Sequence, residues 1–404
     1  MVLLVSLPVE VVAEDAALRH ARELLSRVPL VDGHNDLAWE IRDEAKGDPL
    51  LYDLRRRHDK GDTDIPRLRE GLVSAQFWSV WIPSSAPGGA ARTQLEQIDI
   101  VRRMIADYPD VFMFATKAAH IEQARREGKI ASFLGMENGQ ALENSLGALR
   151  AYYDLGVRYL TLTHGRNTDW ADSATDTPAH GGLTSFGCEV VREMNRLGML
   201  VDISHVSPDV MRRVLEVSEA PVIFSHSSAR GLVDHPRNVP DDVLARMPSN
   251  GGVVMVTFIP AFVSAEAAAW GKGVELLVQG AKSTGEMERI EEEYAKIHGP
   301  SPRATLAQVA DHIEHVAKIA SHDHVGIGSD FYGGGPMPQG LEDVSRFPEL
   351  FAELIRRGWS DTDLTKLAGG NLVQALSRAE AVAEKLRKER QPSTVTFEEL
   401  DRKH

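Results

Sequence analysis

Eight short runs rich in β-branched, aromatic or other apolar residues punctuate this chain: Pro29–Gly33, Gln76–Ile82, Ile130–Met136, Val157–Thr163, Met199–Ser204, Pro221–Ser225, Gly252–Phe258 and His324–Ser329. Between them lie longer segments whose apolar residues recur at helical spacing, among them Leu95–Asp107, Ser145–Leu155, Ser185–Leu197, Pro208–Val217 and Leu306–Ala320. Strands that alternate with helices pair in parallel, because each helix carries the chain back to the starting edge, and such crossovers keep one hand. Eight units in one series predict a closed (β/α)8 barrel of the TIM type. A chain of 404 residues has length enough for two or three domains. No Pro/Gly/Ser-rich linker divides the series, so one barrel domain over residues 1–404 is the expectation, with a C-terminal helix and tail over 376–404.

Two excursions interrupt the rhythm, and long insertions in a compact fold usually carry function. Gly165–Gly182 is polar and follows the fourth run. Residues 260–303 follow the seventh run and hold two helical stretches, Val274–Lys282 and Met287–Ile297, expected to form a lid or a subunit contact. The second use would make the protein a homodimer.

The chemistry lies where the runs finish. The first ends in Asp32-Gly-His34-Asn-Asp36, the third in Glu137, the fourth in His164, the fifth in His205, the sixth in His226 and the eighth in Asp330. In an α/β barrel those ends share the face that carries active sites. Imidazoles and carboxylates crowded together lose hydration, and like charges repel, unless a cation offsets the cost. Nitrogen and carboxylate donors suit zinc, with manganese, iron or cobalt as alternatives. Five ligands with one shared carboxylate suffice for two metals. His34 and Asp36, two residues apart, face the same way if the chain stays extended between them.

Other features carry no such load. His312 and His315 fall in a helical pattern without a His-Glu-x-x-His motif, so they and His322 are read as solvated or locally hydrogen-bonded, and His324 as a strand-start residue at the opposite barrel end. Cys188, the sole cysteine, reads as a buried small residue; it excludes an intrachain disulfide and fits a reducing, cytoplasmic setting. With 59 acidic against 45 basic residues, a formal charge of −14 excludes a nucleic-acid partner. No apolar run reaches the roughly 18 residues of a membrane span, and Met1–Pro8 reads as an ordinary extension. The serine-nucleophile elbow, the phosphate loop and the complete dinucleotide fingerprint are all missing.

The segments Val31-Asp-Gly-His-Asn-Asp36, Tyr159-Leu-Thr-Leu-Thr-His-Gly-Arg-Asn167, Asp202-Ile-Ser-His205, Ser225-His-Ser-Ser-Ala229, Pro236-Arg-Asn-Val-Pro-Asp-Asp242 and His324-Val-Gly-Ile-Gly-Ser-Asp330 together resemble the renal or membrane dipeptidase family, from about residue 29 to about 375. The resemblance implies a (β/α)8 barrel with two zinc ions that cleaves dipeptides, often with a D-residue at the C-terminal position, and a soluble protein of the bacterial kind. It implies that His34 and Asp36 hold one zinc, His205 and His226 the other, and that Glu137 bridges them. His164 would contact the scissile carbonyl oxygen, Arg237 the substrate's terminal carboxylate, and Asp330 would handle the proton as a metal-bridging hydroxide attacks. The disulfides and lipid anchor of the mammalian pattern are missing, which bears on attachment and not on chemistry.

Two other readings fit fewer residues. Amidohydrolases acting on lactones, cyclic amides or phosphoesters commonly begin with His-x-His and bridge with a modified lysine, whereas this chain has His34-x-Asp36 and Glu137. A non-catalytic metal-binding barrel would have no use for Asp330 and Arg237.

Overall fold

The computed structural model describes residues 15–86, 88–278 and 284–401. The expected extension at Met1–Pro8 and the C-terminal His404 lie outside them. Among the described residues nine strands, all parallel, are β1 (Leu30–Asn35), β2 (Val73–Trp81), β3 (Phe112–Phe114), β4 (Ile130–Glu137), β5 (Val157–Thr161), β6 (Leu200–Asp202), β7 (Val222–Phe224), β8 (Val253–Val256) and β9 (Val325–Ile327). They run β2-β1-β9-β8-β7-β6-β5-β4, and the ring closes through β2 and β4, paired from Ala75 opposite Ala131 to Trp81 opposite Glu137. The result is a closed eight-stranded (β/α)8 barrel with flanking helices.

β3 is an addition to the expected eight. It pairs with Ile130–Ser132 at the start of β4, while β5 takes over from Leu134 on the same side.

Helix termini follow the sequence closely because side chains satisfy their free N–H groups. Ser207 accepts from Val210 at the start of Pro208–Val217, and Thr184 from Gly187 at the start of Ser185–Leu197. Thr305 and Gln308 form a reciprocal capping box ahead of Leu306–Ala320. Each such cap is worth about 1 kcal/mol.

One alternate set of strand residues fills the barrel: Ala75, Phe77, Ala131, Phe133, Tyr159, Leu200, Ile223, Val253 and Met255 are all buried in one cluster. Phe77 stacks on Phe133 at 4.6 Å and on Tyr159 at 5.4 Å. The other set, including Trp78, Leu134, Leu160, Val201, Phe224 and Val254, packs outward against the helices.

The excursion after β8 consists of the helices Pro260–Val263, Ala265–Val278 and Thr284–His298. The first long helix begins nine residues before the expected Val274, since Ala265-Glu-Ala-Ala-Ala269 is strongly helix-forming. Gln279–Lys282, the end of the expected stretch, lies outside the described residues. Trp270 meets Tyr294 edge-on at 5.3 Å and ties the two long helices together. The C-terminal helix, Asn371–Glu389, starts slightly before the expected 376.

Candidate active site at the carboxyl ends of the strands

The alternation that buries Phe77, Phe133, Tyr159, Leu200 and Ile223 continues two residues on, or four in the case of β4, to Ser79, Glu137, Thr161, Asp202 and Ser225. The barrel interior therefore changes from apolar to polar at its carboxyl end with no change of backbone path. Gly135 is the residue stepped over in β4, and a Cβ there would lie 2.1 Å from the Tyr159 ring. Its absence lets that ring lie across β4, with the hydroxyl reaching His34.

His34, Asp36, Glu137, His164, His205, His226, Arg237 and Asp330, the eight residues singled out in the sequence, meet at this end. His34 Nε2 lies 3.4 Å from Asp36 Oδ2, 3.4 Å from Glu137 Oε2 and 3.8 Å from Asp330 Oδ1. His205 Nε2 is 2.9 Å from Glu137 Oε1 and 2.9 Å from His226 Nε2, which itself lies 3.4 Å from Glu137 Oε1. Glu137 thus turns one oxygen toward His34 and the other toward the His205–His226 pair. His164 Nε2 stands 4.0 Å from Glu137 Oε1, with its ring 4.3 Å from that of His205.

The donor set fits divalent cations. Three groups, His34–Asp36–Glu137, Glu137–His164–His205 and His34–His226–Asp330, each offer ligand atoms within 4.8 Å of one another. His34 Nε2 and Asp36 Oδ1 are buried without a hydrogen-bond partner, which is costly unless something else meets them. Two outer ring nitrogens are engaged, His34 Nδ1 at 2.8 Å from the Tyr159 hydroxyl and His226 Nδ1 at 2.8 Å from Ser225 Oγ, while His205 Nδ1 has no partner among the described residues. Neutral imidazole fixed through one nitrogen, with the other free, is the form that binds metals.

Electrostatics agree. Burial lowers the pKa of His226 to about 3 and holds those of His205 and His164 below the ordinary value, so these rings are neutral near pH 7. Burial likewise opposes a charge on His34, but Tyr159, Asp36 and Glu137 outweigh it and push its pKa well up. The same negative field that attracts a proton there would attract a cation. For Glu137, burial is outweighed by the neighbouring His34, His205 and His226, which hold the carboxyl well below its usual range. Asp330 goes the other way: burial, with Asp36 and Glu137 nearby, raises it to about 8 against the pull of His34 and Arg237.

All of these side chains but the fully buried His34 and Tyr159 line a cavity of about 200 Å³ whose walls include Trp39, Trp81, Ile259, Phe262 and Tyr332. Arg237 is 3% exposed and sits 5.2 Å over the Phe262 ring. Its guanidinium donates to Ser227 Oγ at 3.4 Å and to the His226 carbonyl at 3.2 Å, while Nε has no partner. Among the described residues no carboxylate pairs with it, and burial lowers its pKa to about 10.

Three points differ from the sequence reading. Asp36 is not in extended chain; it sits at the N-terminus of the helix Leu37–Ala45, with φ −90° and ψ 21°, and still reaches His34. His312 is neither solvated nor locally bonded: it is 1% exposed and accepts from the Ala229 N–H, 83 residues away. Asp202, Ser225, Ser329 and Tyr159 were present in the motifs, but nothing in the sequence set them apart from core residues. His324 does lie at the amino end of β9, on the Gly252 carbonyl at 2.8 Å, and Cys188 is buried.

The barrel and this site define a metal-dependent hydrolase. Residues 18–390 match the model of the membrane dipeptidase family, peptidase family M19. The chain is 41% identical over 379 residues to mouse dipeptidase 3, covering 92% of this chain and 69% of that protein. The probable dipeptidase PvdM of Pseudomonas aeruginosa superposes with a TM-score of 0.80 at 27% identity over 91% of this chain and 99% of its own. A Rhodobacter sphaeroides metallopeptidase solved with a phosphinate mimic of the dipeptide L-Ala-D-Ala shares the fold, with a TM-score of 0.73 at 24% identity over 87% of this chain and 99% of its own. The chain belongs to the membrane dipeptidase family and is a metal-dependent dipeptidase.

Proposed function

We propose that this protein is a binuclear zinc dipeptidase that cleaves dipeptides, including those with a D-residue at the C-terminal position. The observation that carries the reading is Arg237, a buried guanidinium that pairs with no carboxylate among the described residues, in the cavity that Asp36, Glu137, His164, His205 and His226 also line. Its natural complement is a substrate carboxylate, held through charge-assisted and potentially bidentate bonds. In this reading His34 and Asp36 would hold one zinc and His205 and His226 the other, with Glu137, whose oxygens face both groups, serving both. Two zinc ions in that setting supply Lewis acidity toward the peptide carbonyl and a water acidic enough to attack near neutral pH.

The chain's own groups do the rest. Arg237 fixes the carboxyl end of the substrate and so sets how far the scissile bond can lie from the cluster. His164, kept neutral by burial, offers a ring N–H to the carbonyl oxygen as negative charge develops there. Asp330, whose pKa burial raises, takes the proton of the attacking water and returns it to the leaving amine. Trp39, Trp81 and Phe262 wall the cavity and limit bulk water. The D-residue tolerance extends to this chain what its Rhodobacter fold relative binds. Among the described residues no helix is long and apolar enough to cross a membrane, and the lone Cys188 supports a cytoplasmic location. The excursion helices are the surface on which a homodimer would form.

The test is hydrolysis by zinc-loaded protein of L-Ala-D-Ala, L-Ala-L-Ala and a lactone panel. Turnover of the dipeptides with none of the lactones is expected; lactone turnover without peptide cleavage would overturn the reading.

A further inference from the structure

The His226 ring is the end of a buried chain of hydrogen bonds whose direction is set at its other end. Ser225 Oγ donates to Asp202 Oδ2 at 2.6 Å and lies 2.8 Å from His226 Nδ1. A hydroxyl has one proton, and here the carboxylate takes it, so the contact with His226 must run from the ring N–H to the hydroxyl. With the proton on Nδ1, the lone pair of Nε2 faces the cavity, where His205 Nε2 and Glu137 Oε1 converge on it. We propose that Asp202 is a positioning residue that, acting through Ser225, locks His226 in the tautomer whose Nε2 can bind metal. The inference rests on the reading of His226 as a metal ligand.

The carboxylate is held so that the direction cannot reverse by rotation. Asp202 Oδ1 accepts two backbone N–H groups, from Ser204 at 3.1 Å and Ser225 at 2.8 Å, and Oδ2 accepts two hydroxyls, from Thr161 and Ser225. Asp202, Ser204, Ser225 and Thr161 are each fully buried. A buried donor left unmet is costly, so each of the four bonds is held in place by the burial of its donor.

This arrangement makes Asp202→Asn a near-isosteric test of direction. The amide oxygen of the new side chain must occupy the Oδ1 position, because its NH₂ there would meet two backbone N–H donors. The NH₂ therefore faces Ser225 Oγ and donates to it. The Ser225 hydroxyl must then turn its own proton toward His226 Nδ1, which becomes an acceptor, and the ring proton moves to Nε2. The atom aimed at the cavity changes from a lone pair to an N–H with no change of shape.

Zinc affinity of the full chain, measured by competition with a chelator, reads this directly. Partners of metal-bound histidines are typically worth about 10- to 100-fold in metal affinity, so one of the two zinc equivalents of Asp202→Asn should weaken by that factor while the other is kept. His226→Ala is the control for the ligand reading. If it binds zinc like wild type, that reading falls; if it loses a zinc and Asp202→Asn does not, the positioning role of Asp202 falls and the ligand reading stands. Should Asp202→Asn fail to fold, Ser225→Ala against Ser225→Thr poses the same question. Weakened zinc in the alanine variant restored by threonine supports the inference, and wild-type affinity in Ser225→Ala overturns it.

Discussion

Asp32 accepts both the backbone N–H and the hydroxyl of Ser329, at 2.8 and 2.6 Å, and in doing so fastens β1 to the end of β9 just before Asp330. Asp202 takes the same two bonds from Ser225, at 2.8 and 2.6 Å, just before His226. Two distant strand pairs thus use one device: a buried carboxylate grips the serine that precedes a functional side chain and fixes where that side chain leaves the barrel. Asp330, at φ 64°, and His205, at φ 65°, stand in the left-handed region, a local cost of about 1–3 kcal/mol that the surrounding bonds hold in place.

Arg237 gives the sharpest expectation. Amidating a dipeptide should cost about ten- to a hundredfold in kcat/KM, the worth of a lost charge-assisted bond, and Arg237→Met should cost a similar factor on the free dipeptide. The two losses should not add, because both remove the same contact. Steady-state kinetics over the four combinations measures this; additive losses would assign Arg237 a structural role only.

Asp330→Asn should retain metal and substrate binding while lowering kcat by about 10²–10⁴, the range of general acid–base contributions. Elemental analysis and KM serve as controls. Turnover near that of wild type removes Asp330 from the proton path.

Glu137 faces both halves of the cluster, whereas His205 faces one. Glu137→Gln is therefore expected to weaken both zinc equivalents together and His205→Ala chiefly one, as read by elemental analysis after dialysis. Wild-type protein that holds at most one metal with zinc in excess would sink the binuclear proposal.

Asp62 provides a pH test away from the cluster. Burial raises its carboxyl to about 6, opposed by its bond from the Tyr332 N–H. A carboxyl raised above its unfolded value favours the folded state while protonated. Its contribution is full below about pH 4 and is lost as pH rises through about 6. The stability of wild type relative to Asp62→Asn should fall by on the order of 1–3 kcal/mol between those limits. Urea unfolding at pH 4 and pH 7 checks the sign; a constant difference would show that Asp62 ionises normally in the fold.

What the sequence determined is the barrel and which polar side chains end its strands on one face. Eight apolar runs fixed the strand series, because burying alternating helices and strands leaves few topologies. The polar residue closing six of those runs marked the functional face, since all parallel strands finish at one end. The ninth strand, β3, pairs only with the start of β4 and is no member of the closed ring, so the eight-unit series holds without it. His34 and Asp36 face the same way if the chain stays extended, but Asp36 stands at a helix N-terminus and meets His34 through the turn. Tertiary structure alone decided how these side chains are wired together. That Tyr159 reaches His34, 125 residues away, depends on the space left at Gly135. The reach of Asp202 to Ser225 depends on β6 lying beside β7. Hydrogen-bond direction and the burial of Arg237 belong to neighbours distant in the chain, and local sequence holds no record of which side chains the closed barrel will bring together.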